Sequence, residues 1–461
     1  MPLFRNANLR SETRSANVSR TLLLAAFMAL IWGSRLQAQT VTSTPILFEN
    51  VRIFNGSALT PPMNVLVEGD QIAAISAEPI SPAPAVTRVA GGGRTLMPGL
   101  IDAHWHTFMA RPSMAMAVTA PFTFISLLAG AEAEATLMRG FTSVRDLGGP
   151  SFGLKLAIDS GAVRGPRIWP SGAMISQTGG HGDFRMLSEI PATPDVLSYP
   201  ERSGMSAIVD SPDEVRKRTR EQLLQGASQI KLAAGGGVSS PHGPLDTVQL
   251  SVAEIQAAVE AAANWGTYVT VHAYTPEAIR NAIEAGVKVI DHGQLADEAT
   301  AKLMAEKGVW WSLQPLLADE YATQQPDAAG QARAAEIRAG TDNAYRLARK
   351  YGVKVAFGTD ILFDGALAAR QGARLATMTR WYKPAEVLKM ATADNAQLLA
   401  LSDRRNPYPG KLGVVEVGAL ADLLLVDGDP TADITLLSDP SKNLVVIMKN
   451  GRIVKNALAG D

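Results

Sequence analysis

Two kinds of apolar pattern divide the chain. Between Ile46 and Met97, short runs of β-branched residues alternate with turn signals such as Asn55-Gly56, a pattern typical of hairpin strands. The C-terminal part repeats this pattern, and the strands predicted there are 413–417, 421–426 and 445–454. Because similar segments enclose a different middle part, we expect one small β-sandwich domain built from both ends of the chain.

The middle of the chain alternates apolar runs with helical segments. Eight runs are too continuous for strands with one exposed face and suit a parallel sheet that is buried on both faces. They are 100–103, 142–144, 167–169, 229–232, 268–271, 287–290, 309–313 and 353–357. The helices between them have clear end signals, such as the capping box of Ser251 and Glu254 and the pair of Pro276 and Gly286.

Eight strand–helix units favour an α/β fold of the (β/α)8 TIM-barrel type. A doubly wound sheet more often has six strands and a glycine-rich phosphate turn after the first. The predicted division of the chain is a signal peptide at 1–38, the two β-sandwich segments at 39–97 and 409–461, and the barrel at 98–408.

The N-terminal segment has the order of an export signal. Four arginines with one acid precede the apolar run 22–32, and small residues follow before Ala38. A run of this length is too short to span a bilayer. We expect cleavage after Ala38, a periplasmic or secreted protein, and no stable membrane span in the mature chain. An uncleaved anchor is the alternative, because Leu36 is larger than the residue usual near a cleavage site.

Composition excludes several classes of site. The 461 residues include no cysteine, 43 basic and 44 acidic side chains, and six histidines. A chain without cysteine has no disulfide scaffold, no cysteine-ligated metal and no thiol nucleophile. The net charge of -1 gives no general attraction to nucleic acid, and we expect no such partner.

Four of the six histidines follow predicted strands at the edge where such barrels carry their chemistry. His104 and His106 end the first strand, and their spacing turns both imidazoles to the same side. His272 and His292 follow the fifth and sixth strands. A single histidine at a strand end is usually an ordinary polar residue, whereas this set together indicates a metal site.

Two further groups complete the predicted site, Asp360 after the eighth strand and Lys231 near the end of the fourth. Imidazoles and a carboxylate suit zinc or a similar divalent ion, which lowers the pKa of a bound water to about 7. Asp360 can accept the proton of that water. A neutral lysine can add carbon dioxide and bridge two ions as a carbamate, which predicts two divalent metal ions. Taken alone, Lys231 is also compatible with an ordinary ion pair, and Asp360 with a helix cap.

Several segments together resemble the amidohydrolase superfamily. They are 98–106, 229–231, 271–274, 290–293 and 358–360, and the resemblance continues through 390–396 and 418–423. Within the superfamily, 176–183 and Tyr274 are similar to the prolidase-like metallo-carboxypeptidase branch, which includes ochratoxin-hydrolysing amidases. The resemblance therefore covers nearly all of the chain after the predicted signal peptide.

The resemblance implies a role for each site residue. The implied metal ligands are His104, His106 and Asp360 on the more buried ion, His272 and His292 on the more exposed ion, and carboxylated Lys231 as the bridge. His181 and Tyr274 would face the substrate, and the Tyr274 hydroxyl would stabilise the oxyanion that forms when metal-bound hydroxide attacks the amide carbonyl. A closed homo-oligomer, with an octamer as the suggested assembly, is also implied.

The connection 173–228 has one clear predicted helix, and we expect it to form a lid or a wall of the substrate pocket. Phe184, Met186 and Leu187 suit an apolar group, and Arg185 suits a free carboxylate. His242, in a glycine-rich loop, is a further candidate for the pocket. The alternative is that these residues only pack against the barrel.

We therefore expect a zinc-dependent amidohydrolase that cleaves the amide bond to a C-terminal amino acid. The expected substrates are small molecules: N-acyl amino acids, Xaa-Pro dipeptides and ochratoxin A, which would yield ochratoxin alpha and phenylalanine. A cyclic-amide hydrolase of the imidazolonepropionase or hydantoinase type is the alternative enzyme. A non-catalytic binding protein on the same barrel is the other alternative, and such a protein would be expected to have lost ligands that this sequence retains.

Overall fold

The computed structural model describes residues 44–82, 84–191, 196–240, 242–320, 322, 325 and 327–458. The predicted signal peptide and its cleavage site lie outside these residues, and both stay predictions. Residues Thr44–Asp461 belong to one compact unit, so the predicted domain boundaries also stay predictions. No helix in the described part of the chain is long and apolar enough to cross a membrane.

The elements alternate along the chain as follows. The strands are β1 (Ile46–Phe54), β2 (Leu59–Glu68), β3 (Gln71–Ser76), β4 (Thr87–Ala90), β5 (Thr95–Pro98), β6 (Leu100–Trp105), β7 (Phe141–Asp146), β8 (Arg167–Pro170), β9 (Met174–Ser176), β10 (Ser206–Ile208), β11 (Ile230–Ala233), β12 (Val269–Ala273), β13 (Val289–His292), β14 (Trp310–Leu313), β15 (Val355–Phe357), β16 (Leu423–Val426), β17 (Leu444–Lys449) and β18 (Arg452–Asn456).

The helices lie mainly between the central strands. They are α1 (Met114–Thr119), α2 (Phe122–Met138), α3 (Phe152–Asp159), α4 (Tyr199–Arg202), α5 (Pro212–Gln225), α6 (Val252–Trp265), α7 (Pro276–Glu284), α8 (Glu298–Lys307), α9 (Ala328–Tyr351), α10 (Gly365–Ala368), α11 (Gln371–Ala376), α12 (Pro384–Lys389), α13 (Asn395–Leu399) and α14 (Pro440–Asn443). Short 3-10 turns occupy Leu187–Glu189, Thr377–Arg380, Ala400–Arg405 and Ile434–Ser438, and Met390–Asp394 is a π-helical turn.

The strands from the two ends of the chain form one mixed sheet. Its order is β18-β17-β16-β5-β1-β2-β3, with β4 also paired to β1. β5 joins the two halves because it pairs with β1 in parallel and with β16 in antiparallel fashion. Side chains from both halves, such as Phe48, Val65 and Leu423, pack into one buried cluster. The pairing therefore gives one continuous sheet built from both ends of the chain, and its packing as a sandwich stays a prediction.

All eight apolar runs of the middle part form strands, and every pairing among them is parallel. They belong to two ladders, β6-β7-β8 and β10-β9-β11-β12-β13-β14-β15. The largest core cluster contains side chains of these strands and of the helices between them, such as Val271 and Ile290 with Ile255 and Ile279. The predicted α/β class with parallel sheets is therefore confirmed.

Hydrogen bonds connect these two ladders. Ser228 N donates to Pro170 O at 2.8 Å, and Asp360 N donates to His104 O at 2.8 Å. The Asn395 side-chain amide donates to Ile101 O of β6 at 2.7 Å and to Phe357 O of β15 at 2.8 Å. The first and last of the eight strands are thus held side by side, which brings their carboxyl ends together.

Two local predictions were wrong. Residues 413–417 are not a strand, because Gly413 and Gly418 have φ values of 74° and 81° that turn the backbone out of the extended region. Val415 is nevertheless buried, which explains its apolar pattern. Among its described residues, the connection 173–228 contains the helices α4 and α5, the 3-10 turn Leu187–Glu189 and the three-residue strands β9 and β10, which are too short to produce a periodic pattern.

Candidate metal centre and active site

Side chains from the carboxyl ends of the central strands meet at a cavity of about 580 Å³. The predicted site residues that line it are His104, His106, His181, Lys231, His272, Tyr274, His292 and Asp360. Their imidazole rings form a continuous cluster, with centroid separations from 3.8 Å for His181 and His272 to 5.3 Å for His104 and His106. Segments far apart in sequence therefore converge at one place.

Asp360 lies at the centre of the cluster. Its Oδ1 is 3.2 Å from His104 Nε2 and 3.1 Å from His106 Nε2, and its Oδ2 is 3.8 Å from His292 Nδ1. A ring nitrogen of His104, a ring nitrogen of His292 and a carboxylate oxygen of Asp360 all lie within 4.8 Å of one another. This spacing and these donor types suit a divalent cation.

The backbone at the site is unusual in two ligand positions. Asp360 and His292 have φ values of 52° and 74°, a left-handed conformation that residues other than glycine adopt rarely. Gly358 lets this turn approach β6, because a Cβ at residue 358 would lie 2.5 Å from the Cβ of His104. The close approach positions the Asp360 carboxylate against the two histidines of β6.

Burial sets the charge of the imidazoles. It lowers the pKa of His104 to about 4 and that of His181 to about 3, and it holds the pKa values of His272 and His292 well below 6.5. These four rings are therefore neutral at pH 7, the form that binds metals. His106 Nδ1 and His181 Nδ1 are buried and have no hydrogen-bond partner within the described residues. These two ring nitrogens are therefore not engaged by the protein itself.

Asp360 remains a carboxylate. Burial alone would raise its pKa, but the interactions with His104 and His106 hold the pKa well below its usual range. Gln314 fixes the ring planes of two candidate ligands, since its Oε1 is 2.8 Å from His292 Nδ1 and its Nε2 is 3.1 Å from His104 Nδ1. Neutral imidazoles and an ionised carboxylate are the protonation states that a metal centre requires.

A buried ion-pair group lies beside the cluster. Lys231 Nζ is 2.5 Å from Asp291 Oδ2, Arg145 Nη2 is 2.6 Å from Asp291 Oδ1, and the Thr270 hydroxyl donates to Oδ2 at 2.7 Å. Burial would raise the pKa of Asp291, but the two cations hold it well below the usual range. Burial lowers the pKa of Lys231 despite this carboxylate.

Sequence reasoning missed Asp291 and Arg145. The sequence gives a partial signal, because each charged residue directly follows a predicted apolar run, 142–144 or 287–290; buried in β7 and β13, such charges are rare unless they are paired. Their pairing was not predictable, since Arg145 and Asp291 are brought together only by the arrangement of β7 and β13.

Two of the predicted substrate contacts lie elsewhere. The Arg185 guanidinium is held by Asp183 at 2.6 and 2.7 Å and does not line the cavity, since its charge is used within its own loop. His242 lines a neighbouring cavity, with Nε2 at 3.2 Å from Arg185 O. Phe184 does line the main cavity, whereas Met186 and Leu187 are exposed.

Comparison with known proteins assigns the family. Residues 95–454 match the profile of the amidohydrolase family. The chain belongs to this family. Among similar proteins, the ochratoxinase of Aspergillus niger is 32% identical over 376 residues, which cover 78% of this chain and 75% of that protein. This amidohydrolase is therefore a hydrolase that acts on amide or peptide C–N bonds.

Solved structures agree with the assignment. A prolidase complexed with N-methylphosphonate-L-proline has a TM-score of 0.82 and 33% identity, with 90% of this chain and 100% of that chain covered. The crystal structure of A. niger ochratoxinase has a TM-score of 0.76 and 26% identity, with 90% and 97% covered. The amidohydrolase resembles prolidases and ochratoxinase, and such neighbours have a TIM-type barrel with an additional domain.

Proposed function

We propose that this amidohydrolase cleaves the amide bond between an acyl group and a C-terminal amino acid with the help of two divalent metal ions, zinc being the expected metal. The observation that carries the proposal is the convergence of His104, His106, His272, His292 and Asp360 on one cavity. When bound, such ions lower the pKa of a coordinated water to about 7 and polarise a carbonyl oxygen. The family membership supports the same chemistry, since amidohydrolases typically depend on a binuclear metal centre.

The ligand set divides into two groups. His104, His106 and Asp360 would hold one ion, and His272 and His292 would hold the other. Lys231 would bridge them after its neutral Nζ has formed a bond to the carbon of carbon dioxide and lost a proton. Burial favours the neutral amine, and the remaining N–H of the carbamate can still donate to Asp291.

Asp360 and Tyr274 would serve the proton and charge transfers. The ionised Asp360 carboxylate accepts a proton from the attacking water and passes it to the leaving nitrogen. Burial raises the pKa of Tyr274 well above 10, so its hydroxyl stays protonated and can donate to the developing oxyanion. Its ring is fixed by stacking on His292 at 4.9 Å and by edge contact with His272 at 5.1 Å.

His181 would contact the substrate carbonyl from the other side. Its ring stacks on His272 with a centroid separation of 3.8 Å, and Gly237 permits its position, because a Cβ at residue 237 would lie 2.1 Å from His181 Nδ1. The ring is thus held in place at the wall of the cavity that a substrate would occupy.

A substrate panel tests the proposal. Purified protein supplied with zinc is incubated with N-acyl amino acids, Xaa-Pro dipeptides, ochratoxin A and cyclic amides, and released amino acids are measured by mass spectrometry. We expect free amino acids, with ochratoxin alpha and phenylalanine from ochratoxin A. Ring opening of cyclic amides without release of any amino acid would refute the proposal.

The proposal extends to fold closure, processing and assembly. The eight central strands would close into one barrel, supported by the hydrogen bonds from Ser228 and Asp360 that join the two ladders. The chain would be exported after cleavage behind Ala38 and would form a closed homo-oligomer, an octamer. N-terminal sequencing of the exported protein and its mass in solution by light scattering test the last two points.

A further inference from the structure

Arg333 is a cavity-lining arginine whose charge has no partner in the described part of the chain. It belongs to the second turn of α9, and its Nε is buried without a hydrogen-bond partner. A buried donor of a charged group that is left unsatisfied costs free energy, so a residue kept in this state calls for an anionic ligand.

We propose that Arg333 binds the free α-carboxylate of the substrate and thereby selects amides of a C-terminal amino acid. This inference rests on the proposed amide hydrolysis and names the group that recognises the substrate. A guanidinium can bind a carboxylate through two parallel N–H donors, which gives direction as well as attraction.

The position of Arg333 fits this role. It lines the same cavity as His181, Asp360 and Tyr274. One helical turn further along α9, Ile337 packs in one cluster with Tyr274. A carboxylate held by Arg333 would therefore occupy the same cavity as the two residues proposed to contact the amide carbonyl.

The other cations at the cavity are already engaged. Lys231 is paired with Asp291, and the Arg374 guanidinium donates to Pro315 O at 3.0 Å. Arg338 has interactions of its own. Arg333 is distinguished from these three by having neither an ion pair nor a hydrogen bond within the described residues.

The nearby acids do not neutralise Arg333. Asp327 Oδ1 accepts a hydrogen bond from Gly330 N at 2.7 Å and so caps α9. Glu336, three residues along the helix, is exposed. Neither carboxylate forms an ion pair with Arg333 among the described contacts, so the guanidinium keeps its capacity for a substrate anion.

A different wall of the cavity is apolar. It is formed by Met109, Met174 and Phe184 with the partly buried Met114, Leu362 and Phe363, which pack in one cluster separate from that of Ile337. A substrate with a carboxylate at Arg333 would thus meet an apolar surface with its acyl group. The class indicated is an N-acyl amino acid with a large apolar or aromatic acyl group.

The test compares an acid with its neutral analogue. N-benzoyl-L-phenylalanine and N-benzoyl-L-phenylalaninamide differ only in the C-terminal charge, and both are given to the zinc-loaded wild-type protein, Arg333→Gln, Arg333→Lys and Arg346→Gln. Arg346 is the matched control, because it lies on the exposed side of the same helix and donates to Asn343. Calorimetric titration of the metal-free proteins with N-benzoyl-L-phenylalanine measures binding apart from turnover.

We expect Arg333→Gln to raise KM for the acid by about 10- to 100-fold, the factor for loss of a charged hydrogen bond, and to weaken calorimetric binding by a similar factor. KM for the carboxamide changes by less than about threefold. Arg333→Lys restores part of the affinity for the acid, and Arg346→Gln behaves as the wild type.

Equal losses on acid and carboxamide, or an unchanged KM for both, would overturn the assignment of Arg333 while leaving amide hydrolysis intact. A wild-type protein that binds the acid through Arg333 but hydrolyses neither compound nor any other N-acyl amino acid would instead refute the proposed function. Absence of both binding and hydrolysis would overturn both. The two ideas can therefore fail separately.

Discussion

Asp291 provides the sharpest quantitative prediction, because one buried carboxylate balances two buried cations. In Asp291→Asn the side-chain volume is kept and the charge is lost. Lys231 and Arg145, at 1% and 0% side-chain exposure, would then lack a counter-charge. The cost appears as a reduced free energy of unfolding, since in the unfolded chain water solvates both cations.

The magnitude follows from the burial. Removal of one partner from a buried ion pair costs about 3–5 kcal/mol, and two cations place Asp291 at the upper end, about 5 kcal/mol. The entropy of unfolding of a unit of this size is about 0.9 kcal/mol per K, so the loss corresponds to a fall in Tm of about 6 °C. We expect Lys231→Met combined with Asp291→Asn to recover part of this loss, because one uncompensated cation is removed.

The assay is urea and thermal unfolding of the metal-free proteins, followed by tryptophan fluorescence. Asp342→Asn is the matched control, because Asp342 pairs with Arg380 at 2.7 Å but both side chains are more than half exposed. An exposed pair contributes less than about 1 kcal/mol. If Asp291→Asn loses no more stability than Asp342→Asn, the buried ion-pair group does not stabilise the fold and the reasoning is wrong.

Three further predictions concern the lysine, pH and the leader. Lys231→Ala should abolish hydrolysis and bound metal, and a short carboxylic acid should restore part of both; full activity without the acid would exclude a carbamate. Metal-free protein should lose stability as pH falls from 6.5 towards 4, by about 1.4 kcal/mol per pH unit for each buried histidine. The reason is that a histidine of the unfolded chain has a pKa of about 6.5, whereas in the folded protein the pKa is about 4 for His104 and about 3 for His181. The unfolded chain then binds more protons. Asp102, whose pKa burial raises to about 6, and Asp146, whose pKa burial also raises, oppose this trend, but the buried histidines outnumber them. A flat pH profile would contradict the buried imidazoles. A chain starting after Ala38 should stay active and should contain two divalent ions by metal analysis. Loss of folding in this truncated chain would mean that residues 1–38 are not a removable signal peptide.

Local patterns predicted the elements well where the cause is local. Continuous apolar runs marked the central strands, and Ser251 and Glu254 do form the capping box at the start of α6. The histidines could be placed at one edge because strand ends in a parallel sheet share that edge. Asp360 followed for the same reason.

The remaining features depend on contacts between distant parts of the chain. Arg185 looked available for a substrate, but its neighbour Asp183 binds it, a choice that the spacing of charges does not decide. No local pattern marks Arg333, because only the packing of α9 brings it to the cavity. The pairing of Asp291 with Lys231 likewise requires two separate strands to be neighbours.

The arrangement around β5 has a consequence for biosynthesis. Leu96 and Pro98 of β5 are paired with Leu425 and Leu423 of β16. One edge of β5 therefore stays unpaired until β16 is synthesised near the end of translation. Until then that edge offers unpaired backbone groups to any other extended segment. Premature termination or clipping of the late strands would leave it permanently open, which makes such truncated chains candidates for aggregation and for capture by chaperones.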